Sequence, residues 1–169
     1  MVMHENSSAG DVADLFGRLV GEALPGRRGE KAWRALLQAH ATLMRQLDTD
    51  LREDTGLRLS DFDVLAQLAE AGGELRMTDL AARTLLSRSG LTRRVARLVE
   101  EGLVGRANAA GDGRGVLVAL TEAGIARLTE TVPVHIRGVS KLFVERLTDE
   151  ELTVLETALG RVTVDCRFG

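Results

Sequence analysis

The sequence contains little cysteine and no long apolar run. Cys166 is the single cysteine among 169 residues, so an intrachain disulfide cannot form and a cysteine-based metal cluster is not expected. No segment approaches the roughly 18 continuous apolar residues that span a bilayer, and residues 1–10 hold no apolar run of signal-peptide length. We therefore expect a soluble, cytoplasmic protein without a membrane partner.

Patterns that indicate catalysis or metal binding are also missing. The histidines His4, His40 and His135 are too dispersed to form a metal motif, and no nucleophile lies in a recognisable elbow. The loop 110–115 is rich in glycine, as phosphate-binding loops are, but it precedes a predicted strand and does not open a helix whose dipole would bind phosphate. We therefore expect no enzyme activity, no metal and no cofactor.

The charges are unevenly distributed along the chain. The net charge is -3, yet the segment Arg76–Arg114 holds eight arginines against four acidic residues and is therefore net positive. A basic segment on an acidic body directs a polyanion to one surface and repels it elsewhere. Nearly all basic residues are arginine, and the nucleotide composition of the source genome is an alternative explanation for that preference, although it does not explain the clustering.

Apolar residues recur every three or four positions along most of the chain, as on one face of an amphipathic helix. Ser60 is a candidate N-cap for one helix, and Thr121 is a candidate for another that resumes or bends past Pro133. The segment Thr148–Glu151 has the pattern of a capping box. The predicted helices cover residues 11–24, 30–54, 60–71, 78–85, 88–101, 121–147 and 149–162.

The centre of the chain predicts a helix-turn-helix followed by a hairpin. The two short helices 78–85 and 88–101 are joined by a tight turn, and the strands 103–106 and 116–120 flank a glycine-rich tip, which is the pattern of a wing. The second helix therefore has one face that can pack in a core and one face that can contact a nucleic-acid duplex. Its core stripe consists of Leu91, Val95 and Leu98, and its opposite face of Ser89, Thr92, Arg93 and Ala96.

The segment Leu59–Leu128 resembles the MarR family of transcriptional regulators. The resemblance covers about seventy residues with the family's spacing throughout, so the ordered set is more specific than any one piece. The matching residues are Leu59-Ser60-Asp61-Phe62-Asp63-Val64-Leu65, Asp79-Leu80-Ala81, Ser87-Arg88-Ser89-Gly90-Leu91-Thr92-Arg93, Leu98-Val99-Glu100-Glu101-Gly102-Leu103-Val104, Asp112-Gly113-Arg114 and Leu120-Thr121-Glu122-Ala123-Gly124.

The resemblance implies a mainly α fold with a small β-hairpin wing, in which a winged helix-turn-helix is flanked by N- and C-terminal dimerisation helices. The expected organisation is a flexible arm with a short helix over residues 1–29, a dimerisation helix over 30–58, a DNA-binding domain over 59–120 and dimerisation helices over 121–169. Long apolar stripes at Trp33–Leu51 and Val134–Val162 favour a homodimer independently, because unburied apolar faces seek a partner. An intramolecular helical hairpin is the alternative.

By the same resemblance, helix 88–101 enters the major groove of double-stranded DNA at a pseudo-palindromic operator. Ser89, Thr92 and Arg93 are the candidates for base edges, because arginine can donate two bonds to guanine and small hydroxyl residues allow close approach. The remaining candidates near this helix, for phosphate contact or positioning, are Arg76, Ser87, Arg88, Arg94 and Arg97. A solvated surface arginine is the alternative for each basic residue.

The wing pair Asp112 and Arg114 matches the family's pattern, in which the arginine reaches the minor groove and the acid orients it. The sequence departs from the family at Gly113, where a second arginine is common, and at Arg76, where a threonine commonly caps the third helix and an arginine cannot. A plain turn at Gly111-Asp112-Gly113 is the alternative interpretation.

Family members commonly repress promoters and release them when a small aromatic or phenolic molecule binds. Here the corresponding residues would be Trp33, His40, Met44 and Phe62, with ordinary core packing as the alternative. The expected function is thus a ligand-released repressor. Two alternatives stay open: a winged helix that makes only protein contacts, and an oxidant-responsive regulator that uses Cys166.

Overall fold

The structure, a computed structural model, describes residues 7–23, 27–84, 86–108 and 115–165. These ranges are mainly helical with one small sheet, as the sequence predicts. The order of elements is α1 (Ser7–Ala23), α2 (Arg27–Thr55), α3 (Leu59–Glu70), β1 (Glu74–Arg76), α4 (Met77–Arg83), α5 (Arg88–Glu100), β2 (Val104–Asn108), β3 (Val116–Leu120), α6 (Glu122–Leu142), a 3₁₀ turn (Val144–Arg146) and α7 (Asp149–Asp165).

The chain forms two compact units, one ending at Leu43 and the other beginning at Met44. The first unit contains α1 and the N-terminal part of α2, whose first turns are linked by an ion pair between Arg34 Nε and Glu30 Oε1 at 2.8 Å. Most of its large apolar side chains are exposed. These exposed side chains are Val12, Leu15, Phe16, Leu19, Trp33, Leu36 and Leu37.

The second unit holds the hydrophobic core, to which α3, α4, α5 and the sheet contribute. The predicted stripe of α5 lies in this core, since Leu91, Val95 and Leu98 are fully buried. The core therefore anchors one face of α5 and leaves the other outward. The remaining members of the core cluster are Leu51, Leu57, Phe62, Val64, Leu65, Leu68, Leu80, Val104 and Val118.

The sheet has three antiparallel strands in the order β1-β3-β2. The predicted hairpin of β2 and β3 is confirmed, with Arg106 opposite Val118. The strand β1 was not predicted: it is only three residues long and follows Gly72-Gly73, both of which have positive φ. Its pairing with β3 places Leu75 opposite Val118, so it exists because of a long-range partner and not because of its own pattern.

Bonds between distant residues hold the corner between α2 and α3. Gly56 lies in the left-handed region with φ of 72°, and Arg127 on α6 donates to the carbonyl oxygen of Thr55. The backbone N–H of Leu59 donates to Asp48 Oδ1 at 2.8 Å. The prediction that Ser60 caps α3 is wrong, because the helix begins one residue earlier and a carboxylate of α2 takes the N-terminal N–H.

The predicted ends of the later helices are largely confirmed. Thr121 Oγ1 accepts from the N–H of Gly124 at 3.0 Å, and Thr148 and Glu151 form the reciprocal capping box. Helix α6 runs without interruption through Pro133, so of the two predicted alternatives, a restart or a bend, the restart does not occur. Pro133 lies on the exposed side, where water can reach the carbonyl that proline leaves without an N–H partner.

Candidate nucleic-acid interface

Helices α4 and α5 form the helix-turn-helix, and a side-chain cap defines the start of α5. Ser87 has extended backbone angles, and its Oγ accepts a hydrogen bond from the N–H of Gly90 at 3.1 Å. Gly102, with φ of 73°, follows the C-terminal end of α5 as predicted. The length of α5 is therefore set by a cap at one end and a glycine at the other, and the buried stripe decides which face is turned to the core.

The outward face of α5 carries the predicted base-reading residues together. Ser89, Thr92 and Arg93 are all exposed, and so is Arg88 at the first turn. Thr92 Oγ1 donates to the carbonyl oxygen of Arg88 at 2.9 Å. Within the described ranges neither Arg88 nor Arg93 pairs with an acidic side chain, so both guanidinium groups are available to an external anion.

The two arginines on the flank of α5 have protein partners that the sequence pattern does not reveal. Arg94 Nη1 lies 3.1 Å from Asp61 Oδ1, and Arg97 Nη1 lies 3.7 Å from Asp61 Oδ2. Asp61 is on α3 and is fully buried, whereas the side chains of Arg94 and Arg97 are 26% and 43% exposed. Arg94 is thus committed to a buried carboxylate in the free protein.

Arg97 has a second partner on its own helix. Its Nε donates to Glu101 Oε1 at 2.8 Å. This hydrogen bond raises the pKa of Arg97, and the charges of Asp61 and Glu101 add to the effect. Arg97 therefore stays cationic, and a phosphate that approached it would compete with two carboxylates.

A basic surface depression lies beside the recognition face. Its volume is about 330 Å³, and it is bordered by Leu86, Gly90, Arg93, Arg94 and Arg97. Of the three guanidinium groups around it, only that of Arg93 has no acidic partner among the described residues.

Two further arginines lie next to this face. Arg106 on β2 reaches back to α5, where its Nη2 donates to the carbonyl oxygen of Thr92 at 3.4 Å. In the sequence, Arg106 is recognisable only as a member of the basic segment, with no role of its own. Arg76 is exposed at the N-terminus of α4 and, as predicted, its side chain does not cap that helix. Asp112 and Arg114 lie outside the described residues.

The predicted effector residues are divided between the two units. Trp33 and His40 are exposed in the first unit, whereas Met44 and Phe62 belong to the second. The buried ring of Phe62 lies 4.5 Å from the ring of His135 on α6. Burial lowers the pKa of His135, and its buried Nδ1 has no hydrogen-bond partner among the described residues.

Asp63 is a further ionisable group with a shifted pKa. Burial raises the pKa of Asp63 on α3, while a hydrogen bond with Gln67 partly offsets the shift. Among the described residues, no cluster of histidine, cysteine and acidic side chains could hold a metal ion. None of the helices there is long and apolar enough to cross a membrane.

Known proteins are similar to this chain in both sequence and architecture. A family model described as the MarR family matches residues 55–115, which contain the helix-turn-helix. The crystal structure of AbsC, a MarR family transcriptional regulator from Streptomyces coelicolor, is 33% identical with a TM-score of 0.75, and the match covers 83% of this chain and 95% of AbsC. The chain belongs to the MarR family.

Other MarR-family structures and relatives extend the comparison. Sco3205 from Streptomyces coelicolor, solved in complex with DNA, is 31% identical with a TM-score of 0.79 over 86% of this chain and 96% of that chain. PecS of Dickeya dadantii (strain 3937), an HTH-type transcriptional regulator, is 31% identical over 63% of this chain. The match spans 64% of the length of PecS.

These comparisons confirm the fold class and the family that the sequence predicted. The matched proteins are transcriptional regulators, in agreement with the expectation that this MarR-family chain is not an enzyme.

Proposed function

We propose that this MarR-family regulator is a homodimeric repressor that binds a pseudo-palindromic operator and releases it when a small aromatic or phenolic ligand binds. The observation that carries the proposal is the outward face of α5. Its two arginines without an acidic partner in the described ranges lie beside the small polar residues Ser89 and Thr92. Such a face suits major-groove readout, because arginine reads guanine and small residues let the helix approach closely.

The roles of the individual arginines follow from their partners. Arg93 points outward and is the proposed base-reading residue, and Arg88 is a proposed phosphate contact. Arg97 keeps a proposed phosphate role in competition with Glu101 and Asp61, and Arg94 contributes mainly through its ion pair. At the wing, Asp112 and Arg114 remain proposed minor-groove residues, and Arg76 a proposed phosphate contact.

Exposed apolar side chains on the terminal helices support the dimer. They lie on α6 and α7, at more than a third of full exposure, which is unusual for so many large apolar residues. A twofold dimer would present its α5 helices at half-sites about one helical turn, roughly 10 base pairs, apart. The exposed side chains are Ile125, Val132, Ile136, Val154, Leu159 and Val162.

The effector part of the proposal rests on a smaller set of observations. The sequence supplies aromatic, soft and titratable side chains of the kind that suit a planar ligand, and the proposed residues are Trp33, His40, Met44 and Phe62. A solved relative at 21% identity, the organohalide-sensing RdhR-CbdbA1625 regulator, was crystallised in a 2,4-dichlorophenol-bound form. Thermal-shift screening of phenolic compounds tests this part, and compounds that change neither stability nor DNA release would count against it.

The DNA-binding part is tested by selection of fragments from the source genome with the purified full-length protein. We expect a small set of related pseudo-palindromic duplexes, bound with an affinity that falls steeply as salt rises. Sedimentation measures the oligomeric state of the same material. A protein that stays a single subunit at micromolar concentration and ignores every fragment in dilute salt would instead be a protein-interaction module.

A further inference from the structure

The only fully buried carboxylate among the described residues, that of Asp61, lies directly behind the proposed DNA-reading helix. Its two oxygens face different guanidinium groups: Oδ1 accepts from Arg94 at 3.1 Å, and Oδ2 lies 3.7 Å from Arg97. A charge without access to water is costly unless it is paired. The pairs with Arg94 and Arg97 therefore offset the cost of burying the Asp61 carboxylate.

The spacing of the two arginines turns this pairing into a constraint on rotation. Arg94 and Arg97 are three residues apart on α5, so they lie on the same side of the helix, about one turn from each other. The apolar stripe of α5 holds the helix against the core but is not directional. The ion pairs of Asp61 on α3 with two successive turns of α5 are directional contacts. They add a constraint on the rotation of α5 and on its position along its axis.

We propose that Asp61 is a positioning residue of the DNA interface, which through Arg94 and Arg97 fixes the rotation of α5 and thereby the place of Arg93 in the groove. The inference rests on the proposed DNA-binding function. Asp61 itself is fully buried and cannot reach DNA, so its effect on sequence discrimination is indirect. Binding geometries tolerate errors of only about 0.5 Å and 10 to 20°.

The test compares two duplexes, the one most enriched in the genomic selection and a scrambled duplex of the same length and composition. The measured quantity is the dissociation constant of the scrambled duplex divided by that of the selected duplex. This ratio does not depend on the folded fraction of the protein. In Asp61→Asn we expect this ratio to fall about tenfold, within the range for loss of one base contact. A merely structural role would lower the melting temperature and leave the ratio unchanged, which would overturn the inference.

The matched control is Asp63→Asn, the same substitution two residues along α3. Its carboxyl interacts with Gln67 and Glu70 on its own helix, so the ratio should stay at the wild-type value. As a single change, Arg94→Gln should lower the ratio. In the Asp61→Asn background it should lower the ratio little further, because both substitutions break the same ion pair. Additive effects of the two substitutions would contradict the proposed path through Arg94.

A second pair of changes covers the case in which Asp61→Asn does not fold. In Asp61→Leu with Arg94→Met, apolar side chains replace the ion pair, an exchange that buried pairs often tolerate without loss of stability. Loss of discrimination in this folded variant supports the inference, and wild-type discrimination overturns it. If this variant fails as well, the single change Arg94→Gln, which removes the ion pair from the other side, is judged by the same criterion. A wild-type protein that does not distinguish the two duplexes would refute the proposed function itself.

Discussion

Two neighbouring residues of α5, Arg93 and Arg94, show how position decides the role of one side-chain type. A step of one residue turns a side chain by about 100° around the helix axis. Arg93 consequently faces outward, whereas Arg94 lies over the buried carboxylate of Asp61. The local basic charge of the sequence therefore overstates the charge that α5 offers to DNA.

We expect Arg93→Ala to weaken binding of the selected duplex by about 1 to 3 kcal/mol, and to weaken the scrambled duplex less, because a bidentate base contact is lost. Fluorescence titration of both duplexes measures the difference. In the control variant Arg88→Ala, both duplexes should lose affinity about equally, and the salt dependence should decrease. An equal loss on both duplexes in Arg93→Ala would reassign Arg93 to the DNA backbone.

His135 makes the stability of the second unit dependent on pH. Because burial lowers its pKa below 6.5 in the folded chain, the unfolded chain takes up the proton first as pH falls. The stability contribution of the neutral ring is thus complete above pH 6.5 and decreases as pH falls through the depressed folded-state pKa. We expect the melting temperature to fall as pH drops below about 6.5.

The variant His135→Phe keeps an aromatic ring against Phe62 and removes the titration, so this part of the pH dependence should disappear. Identical pH profiles for wild type and His135→Phe would show that another group is responsible.

At the scale of elements, close approaches of the backbone join the wing to the helices. The N-terminus of α6 meets the end of α5 through Thr121, whose Oγ1 donates to the carbonyl oxygen of Gly102 at 2.7 Å. Gly124, in the first turn of α6, is buried against the backbone that leads into β2. The base of the wing is therefore held by main-chain contacts that leave no room for a side chain.

We expect Gly124→Ala to destabilise the protein by about 1 to 3 kcal/mol, because the new Cβ would overlap the carbonyl oxygen of Leu103. The control is Gly160→Ala on α7, where a new Cβ would have no atom within 4 Å beyond the adjoining backbone of its own helix. There alanine should stabilise the helix by about 0.5 to 1 kcal/mol. Chemical denaturation of both variants measures the two effects, and equal stabilities would contradict the packing argument.

For the whole molecule, the distribution of apolar surface is the main feature. The core of the second unit is well buried, yet α6 and α7 carry large apolar residues that contact water in a single chain. In the first unit the same is true of α1 and the start of α2. A second copy of the chain would cover such surfaces, as the proposed function requires.

We expect Ile136→Glu to raise the dimer dissociation constant at least about tenfold, because a charge would be buried in the proposed interface. Ile136 is 56% exposed in the single chain. Val99→Glu is the control, since Val99 is 37% exposed on α5, outside the terminal helices. Sedimentation equilibrium measures both, and an unchanged constant for Ile136→Glu would remove α6 from the interface.

Local patterns were sufficient to predict most elements, the hairpin and the outward face of α5. The spacing of Leu91, Val95 and Leu98 determines which side of α5 is buried, and caps such as Thr121 act within one helical turn. The sequence resemblance was sufficient for the family. All of these signals depend on residues that are close together in the chain or in a motif of constant spacing.

Contacts between distant residues were decided only by the tertiary structure. Asp61 and its partner Arg94 are 33 residues apart in the sequence. Asp48, and not the predicted Ser60, accepts a hydrogen bond from the N-terminal N–H of α3, and β1 forms only because it pairs with β3. None of these partners leaves a periodic signal, because each depends on how helices and strands pack after they form. The sequence by itself determined which side chains of α5 face outward, and the fold decided which arginines have buried acidic partners.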